Sequence, residues 1–565
     1  MRSTFFSTLL FGIALQGAAS ASKGNSTFTN PILPGFHPDP SCIFVPEFDD
    51  TFFCASSSFD AFPGIPIHAS KDLQNWKLIG NVLNRETQLP ALNTVNSTSG
   101  GIWAPTLRYH SGTFWVVTTL VFDDYAQNNS ARWDNIIFHG SSPYDETTWS
   151  DPVHFNFTGY DTSPFWDRNG DAYIVGSHAW QVYPAIQLAK VNLTTCRVGN
   201  WSTLWTGTGG EAPEGPHLYY KDSMYYLMIA EGGTGDNHME TMARSKNLLG
   251  PYESNPANPV LTAANTTRFF QTVGHADLFQ DASENWWAVA LATREDTTHD
   301  YHPMGRETVL TPVTWETGEW PVFSIVEGEM EGWARPPAGS IAGDGPWITD
   351  GDAIDFAPGS SLPLQFTHWR FPANDSYEIS PAEHPYSLKL NPSSANLTYD
   401  LKSAPPGGQA FLGQRQQQTL FTFSVNMDYM PTTVNEEAGV TVFLQQNKHV
   451  ELGVVLLEAN EPYLRVRGVS TVTLPSYQTA LPAAWANTTL HLEIKALNWT
   501  HYALSVGPAT SMSGMKTLAY PINSALGGGF TGTFLGVYAT SNGGDGSTPA
   551  YFSNWTYVPQ EQFIN

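Results

Sequence analysis

Five segments of this chain each open on a residue able to do chemistry, and all five share one plan. Asp39 heads DPSCIFVPEFDDTFFCASS, Trp103 heads WAPTLRYHSGTFWVVTT, Asp161 heads DTSPFWDRNGDAYIVGS, Glu214 heads EGPHLYYKDSMYYLMIAEG and His275 heads HADLFQDASENWWAVALA. Three of the heads are carboxylates. One carboxyl kept protonated can donate to a leaving oxygen while a second, ionised, activates water, which is what cleaving a glycosidic bond requires. Asp39 lies in GFHPDPS, where flanking prolines fix the backbone and hold a short acid stiffly, as suits a base that positions water. Glu214 lies in EAPEGPHLYY, whose proline and aromatic neighbours limit solvation and raise its pKa, as a general acid requires. Asp161, in GYDTSPFW, is a third acid, able to tune Glu214 by its charge while holding a sugar hydroxyl. A lone Asp-Pro or Glu-Gly usually marks a turn; three acids in register with a repeat call for another account.

The elements that must position these residues follow from the repeat. Each head precedes a short apolar run, a polar turn and an aromatic-rich run such as TFWVVTT or AYIVGS, and the heads are 64, 58, 53 and 61 residues apart. Such spacing suits propeller blades, whose equivalent positions converge on one axis. No sustained helical periodicity occurs between residues 30 and 325. The expected fold is all-β: a five-bladed β-propeller over residues 22–325, a Gly- and Pro-rich linker over 326–360, and a jelly-roll β-sandwich over 361–565. Strands of that second domain include 420–429, 439–444, 450–457, 463–469, 490–497 and 533–540, with HLEIKAL alternating buried and wet positions. It shows no acid pair or metal-ligand spacing, so its expected role is to wall or brace the propeller pocket. Segments 84–100 and 123–135 are expected to build the pocket's outer rim.

Composition narrows the partners. At 565 residues the chain exceeds one core, and two domains are expected. A net charge of -26 repels nucleic acid and anionic membrane, while 19 Trp suit both sheet cores and stacking on sugar rings. Residues 1–21 read as a secretory signal, with Arg2, an apolar run and a small-residue cleavage site; no later apolar stretch is long enough to span a membrane. Twelve Asn-x-Ser/Thr sequons fit a secreted glycoprotein. Cys42 and Cys54 flank the turn PEFDD symmetrically and can face each other on a hairpin, either paired or free. Cys196 is then left over, expected as an inert thiol.

The motifs NPILPGFHPDPS, SSFDAFPGIPIHASKDLQNW, GGIWAPTLRYHSGTFWV, EGPHLYYKDSMYYLMIAEGGTG, VGHADLF and MGRET, with the Asp161 segment, resemble glycoside hydrolase family 43. The resemblance covers about residues 30–325, and residues 360–560 are similar to a C-terminal module that many members carry. It implies a five-bladed propeller enzyme acting with inversion on xylan and arabinan side chains and ends, with Asp39 as base, Glu214 as acid and Asp161 as the tuning, sugar-orienting acid. It also implies that Arg306 hydrogen-bonds sugar hydroxyls, and that His275 either contacts a structural calcium through water or packs beneath the pocket. Trp103 and Phe59 would be apolar walls. No cofactor is needed for the chemistry.

The acids do not separate α-L-arabinofuranosidase from β-xylosidase activity. One residue does. The family's xylosidases place an aliphatic residue before the tuning Asp, whereas this chain has Gly159-Tyr160-Asp161-Thr162-Ser163, and a tyrosine there resembles the fungal subgroup that takes arabinose from doubly substituted xylose units. Arabinoxylan and xylo-oligosaccharides are the expected substrates, with arabinofuranosidase favoured over xylosidase. A sugar-binding propeller without catalysis would be expected to lack Asp39 or Glu214; both are present.

Overall fold

The computed structural model describes residues 25–295, 304–398, 408–458 and 461–565. The expected signal segment, residues 1–21, lies outside them. Helix among the described residues is confined to short 3-10 turns.

Five antiparallel sheets follow one another along the chain. The first joins Ser41–Val45, Thr51–Ala55, Gly64–Ser70 and Lys77–Leu83 in that order; the others begin with Gly101–His110, Gly159–Trp166, Glu214–Lys221 and Phe270–Gln280. Sequential strands pair by short hairpins, as alternating apolar runs and Gly, Asn or Asp turns dictate. Each sheet's first strand touches the first strand of its neighbours, and Phe270–Gln280 touches Ser41–Val45, so the ring closes. These are propeller blades with the predicted heads at their inner edges. The chain entering the first blade also pairs with the last, Leu33 bridging Thr308, and Asn25–Thr29 pairs with Glu329–Trp333 in a two-stranded sheet of its own.

Cys42 and Cys54 stand opposite each other on the first hairpin and are joined by a disulfide. Cys196 is free and half-buried, with burial pushing its thiol up to about 11. Because the crosslink restricts the unfolded chain, a Cys42→Ala/Cys54→Ala variant should unfold at lower denaturant, losing about 3 kcal/mol.

The second domain stacks an eight-stranded sheet, centred on Ala550–Glu561 and Leu420–Asp428, on a six-stranded one running Ala410–Arg415, Phe534–Thr540, Glu437–Gln445, Lys448–Glu458, Glu461–Val469 and Tyr477–Ala480. Leu490–Ala496, the HLEIKA run, alternates buried and half-buried positions, with Leu492 and Ile494 in the shared core. The stretch expected as a linker is partly structured. Glu329–Trp333 closes on the N-terminal strand, and Asp352–Ile354 already joins the eight-stranded sheet.

The sandwich packs directly on the propeller. Phe36 and Phe59 of the propeller share an aromatic cluster with Trp369, Phe411, Phe443 and Phe534. His368–Trp369 adds a two-stranded pairing to Ala61–Phe62, and a buried Arg370–Asp60 ion pair at 3.1 Å lies beside it.

Candidate active site

A backbone device at the ring's inner edge places the site. In blades two to five the pairing of the first strand is interrupted by a bulge, between Trp103 and Thr106, Tyr160 and Ser163, Glu214 and His217, and Gly274 and Asp277. Each bulge holds a residue at positive φ: Ala104 (30°), Asp161 (51°), Gly215 (56°) and His275 (52°); in blade one Asp39 takes the same conformation (52°) just before its strand. Bulges of this kind bend a strand and re-aim a side chain. The structurally equivalent residues are therefore Asp39, Ala104, Asp161, Gly215 and His275.

This corrects the expected register at two blades. Trp103 and Glu214 precede the equivalent position by one residue, as Tyr160 does in blade three. The reason lies in the size of the neighbour. A Cβ at Gly215 would lie 3.0 Å from two atoms of the His275 ring, so glycine fits there more easily than a larger residue, and blade four presents its acid one residue earlier. All five predicted heads nevertheless line one pocket, together with Phe59, Tyr160 and Arg306. Its volume is about 280 Å³, just below the roughly 300–1,000 Å³ of sites for drug-sized ligands.

Asp39 is the most firmly held acid. Its Oδ2 accepts from Ser57 Oγ at 2.6 Å, and Arg306 donates through Nη1 to Oδ1 (3.0 Å) and through Nη2 to Oδ2 (3.3 Å). Burial pushes its pKa up, but Arg306, His275 and Ser57 outweigh burial and hold the carboxyl below its ordinary range. Glu214 is treated oppositely: burial and the charge of Asp39 push it up to about 7, against the opposing pull of the Tyr160 hydroxyl and Arg306. Asp161 accepts from Gly215 N at 3.1 Å and is pushed well above its ordinary value by burial, then by Glu214 and Asp39. Asp161 and Glu214 thus repel one another, and the charges of Asp39 and then Glu211 add to the lift on Glu214. One pocket holds an ionised carboxylate and a carboxyl still about half protonated at neutrality, the two states that acid–base hydrolysis requires.

Arg306 was expected to bind sugar hydroxyls. Nη1 donates to Thr234 Oγ1 at 3.1 Å as well as to Asp39, and Nε donates to Phe530 O at 2.9 Å. With Nη2 on Asp39 as well, four of its five N–H groups are engaged, so its main work is to fix the base. His275 stands with Nδ1 3.8 Å from Asp39 Oδ1, and burial holds it below its usual pKa, hence neutral. No group of three or more His, Cys, Asp or Glu side chains among the described residues could hold a metal ion. Direct carboxylate, imidazole or thiolate ligands for calcium are therefore not assembled around His275.

Tyr160 does more than border the pocket. Its hydroxyl donates to Glu214 Oε2 at 3.1 Å, and its ring lies stacked on Trp133 (5.2 Å) and edge-on to Trp103 (5.9 Å). Truncating it would therefore disturb the acid itself, because a bond across 54 residues of sequence ties the two together. Since the tyrosine bond favours ionised Glu214, Tyr160→Phe should move the alkaline limb of the pH–rate profile upward. An unmoved limb would show that the bond does not act on the acid.

Several residues of the site escaped the sequence reading. Ser57 joins blades one and two by donating to Asp39 and accepting from Ala104 N at 2.7 Å. Of the two expected rim segments, 123–135 supplies Asp123, Gln127, Arg132 and Trp133, whereas 84–100 acts from behind, with Ser97 and Ser99 bonding Asp123 and Ser99 O accepting from Trp103 Nε1. Phe530 comes from the sandwich. It stacks on Phe59 (6.2 Å, 19°) and lies under the Arg306 guanidinium (5.3 Å). The only sequence signal for it was an aromatic residue in GGGFTGTF, where Gly528 and Gly529 at positive φ turn the loop. Phe530→Ala should leave the fold standing and lower kcat/KM about tenfold, as loss of an apolar wall worth about 1.4 kcal/mol implies.

Comparisons with known proteins agree with this architecture. The model of the family described as glycosyl hydrolases family 43 matches residues 28–321, and that described as beta xylosidase C-terminal concanavalin A-like domain matches 353–558. A non-reducing end alpha-L-arabinofuranosidase of Bacteroides ovatus is 33% identical, covering 96% of each chain. A xylosidase/arabinosidase of Butyrivibrio fibrisolvens is 32% identical over 94% of this chain and 99% of its own. The crystal structure of a xylan beta-1,4-xylosidase from Bacillus halodurans, 28% identical, superposes with a TM-score of 0.81 over 94% of this chain and 100% of that one. A propeller whose inner bulges gather three acids, closed by a concanavalin-like sandwich and matched along nearly its whole length, places this chain in glycosyl hydrolases family 43, as a glycosidase.

Proposed function

We propose that this glycosidase removes terminal α-L-arabinofuranosyl residues from arabinoxylan, including doubly substituted xylose units, with inversion of configuration. The observation that carries the mechanism is the opposed protonation of Asp39 and Glu214 in a pocket sized for a small sugar. Glu214 gives its proton to the departing oxygen. Asp39, ionised and fixed by Arg306 and Ser57, takes a proton from the attacking water. Asp161, held largely neutral, donates a hydrogen bond to a sugar hydroxyl, and the aromatic walls of Phe59, Trp103 and Phe530 cover the ring's apolar face.

Tyr160 and the arabinofuranosidase relative support arabinose as the released sugar. A second reading, β-xylosidase, draws on the xylosidase names among the other relatives. Rates on aryl arabinofuranoside and aryl xyloside separate the two, and digestion of wheat arabinoxylan identifies the sugar and its linkage. Faster release from the xyloside would overturn the arabinose assignment; a product that keeps the substrate's anomeric configuration by NMR would overturn inversion. The enzyme acts outside the cell in this reading. Supporting that, nine of the twelve sequon asparagines, among them Asn128, Asn156, Asn265 and Asn487, are exposed. N-terminal sequencing of protein from culture medium tests it.

A further inference from the structure

A second, smaller cavity lies between propeller and sandwich and shares no lining residue with the sugar pocket. Its volume is about 20 Å³, room for one small particle. His37 and His68 of the propeller and Arg415 of the sandwich line it, and all three are buried. Arg415 donates from Nε to Phe36 O at 3.1 Å, with its guanidinium against the rings of Phe36 and Phe534. Among the described residues no carboxylate forms an ion pair with it. Three buried nitrogens there have no partner: Arg415 Nη2, His37 Nε2 and His68 Nδ1. The two imidazoles meet edge to face at 4.8 Å. Burial, reinforced by the neighbouring guanidinium, holds both well below the usual histidine pKa, so each is neutral and has one N–H to give. Asp350 and Asp352 also line the cavity; Asp350 is exposed, and Asp352, half-buried, is engaged by Gln365 at 2.8 Å and forms no ion pair with Arg415.

We propose that this cavity binds one monovalent anion of halide size, held by Arg415 Nη2 and by the N–H groups of His37 and His68. A buried guanidinium without an ion-pair partner and two buried imidazole nitrogens without hydrogen-bond partners are each costly. A water molecule would satisfy the hydrogen bonds but leave the charge uncompensated. Sulfate or a carboxylate-bearing metabolite is too large for the space. The anion would tie sandwich to propeller next to Phe36-His37-Pro38-Asp39, the segment that carries the base, so occupancy should steady both the domain contact and Asp39.

The test uses the full-length enzyme exchanged into sodium gluconate, then titrated with sodium bromide at constant ionic strength. The melting temperature should rise saturably by about 3 °C, with a parallel gain in kcat on an aryl arabinofuranoside or xyloside. Bromide-soaked crystals should give an anomalous peak beside Arg415. Arg415→Met should abolish the thermal response; the anomalous peak in the unmodified enzyme decides the matter even if that variant fails to fold. A water in place of the peak, or a thermal response that gluconate reproduces, overturns the proposal. None of these thermal or crystallographic readouts depends on which sugar is released.

Discussion

Glu214→Gln should lower turnover on arabinoxylan by roughly 10³-fold, the scale of a lost general acid, while the loss on nitrophenyl glycosides is much smaller. A nitrophenolate leaves without a proton; a sugar hydroxyl does not. Equal losses on both substrates would remove Glu214 from the acid's role. The pH profile gives a second check. With the acid pushed up to about 7 and the base held below the ordinary carboxylate range, activity should be broad on the acid side and fall above about pH 7. The glutamine variant should lose that alkaline limb. Stability should move the other way. The folded state raises the pKa of Glu214, so it binds more protons than the unfolded chain between the ordinary value and about 7, and it loses stability as pH rises through that window. Glutamine removes the penalty, and the variant should melt higher than the parent at pH 8.

The sequence made some of this site legible because the fold repeats and the chemistry sits on the repeat. Asp39, Asp161 and His275 occupy the one inner position that every blade must bend around, so spacing alone brings them together. Trp103 and Glu214 were found with an offset of one. Their blades fill that position with Ala104 and Gly215, which carry no functional group, and the reading settled on the reactive neighbour instead. The offset explains why Glu214 meets Tyr160, its counterpart one position before the bulge in the adjacent blade, by a direct hydrogen bond.

What stayed hidden was carried by contacts between distant parts of the chain. Thr234 reaches Arg306 across 72 residues and Phe530 reaches it across 224, and nothing local marks either as part of a pocket. Ser57 is only 18 residues from Asp39, but its importance comes from also holding the bulge of the next blade, a link that exists only once the ring has closed. The part Arg306 plays in holding the base escaped the motif for the same reason. The motif GRET identifies the arginine, while the number of its N–H groups left for a sugar depends on the folded neighbours.

Asp39 offers the sharpest contrast with Glu214, because its replacement should cost both activity and stability. Its φ of 52° is a conformation that Asn and Gly adopt readily and Ala does not, so Asp39→Asn and Asp39→Gly remove the base without straining the backbone. Turnover should fall by roughly 10³- to 10⁴-fold on every substrate, good leaving group or poor, because water activation is needed whatever departs. Formate should restore part of the loss in the glycine variant, where the missing side chain leaves space for a small carboxylate. The fold lowers the pKa of Asp39, so its contribution to stability is present above the ordinary carboxylate pKa and disappears as pH falls through the lowered value. Removing the charge also leaves the buried Arg306 uncompensated, a loss of about 3 kcal/mol for one partner of a buried pair. Melting curves at pH 7 should therefore drop for Asp39→Asn and rise or hold for Glu214→Gln. If both variants shift in the same direction, the two acids are not held in opposite protonation states, and the division of labour between base and acid fails with them.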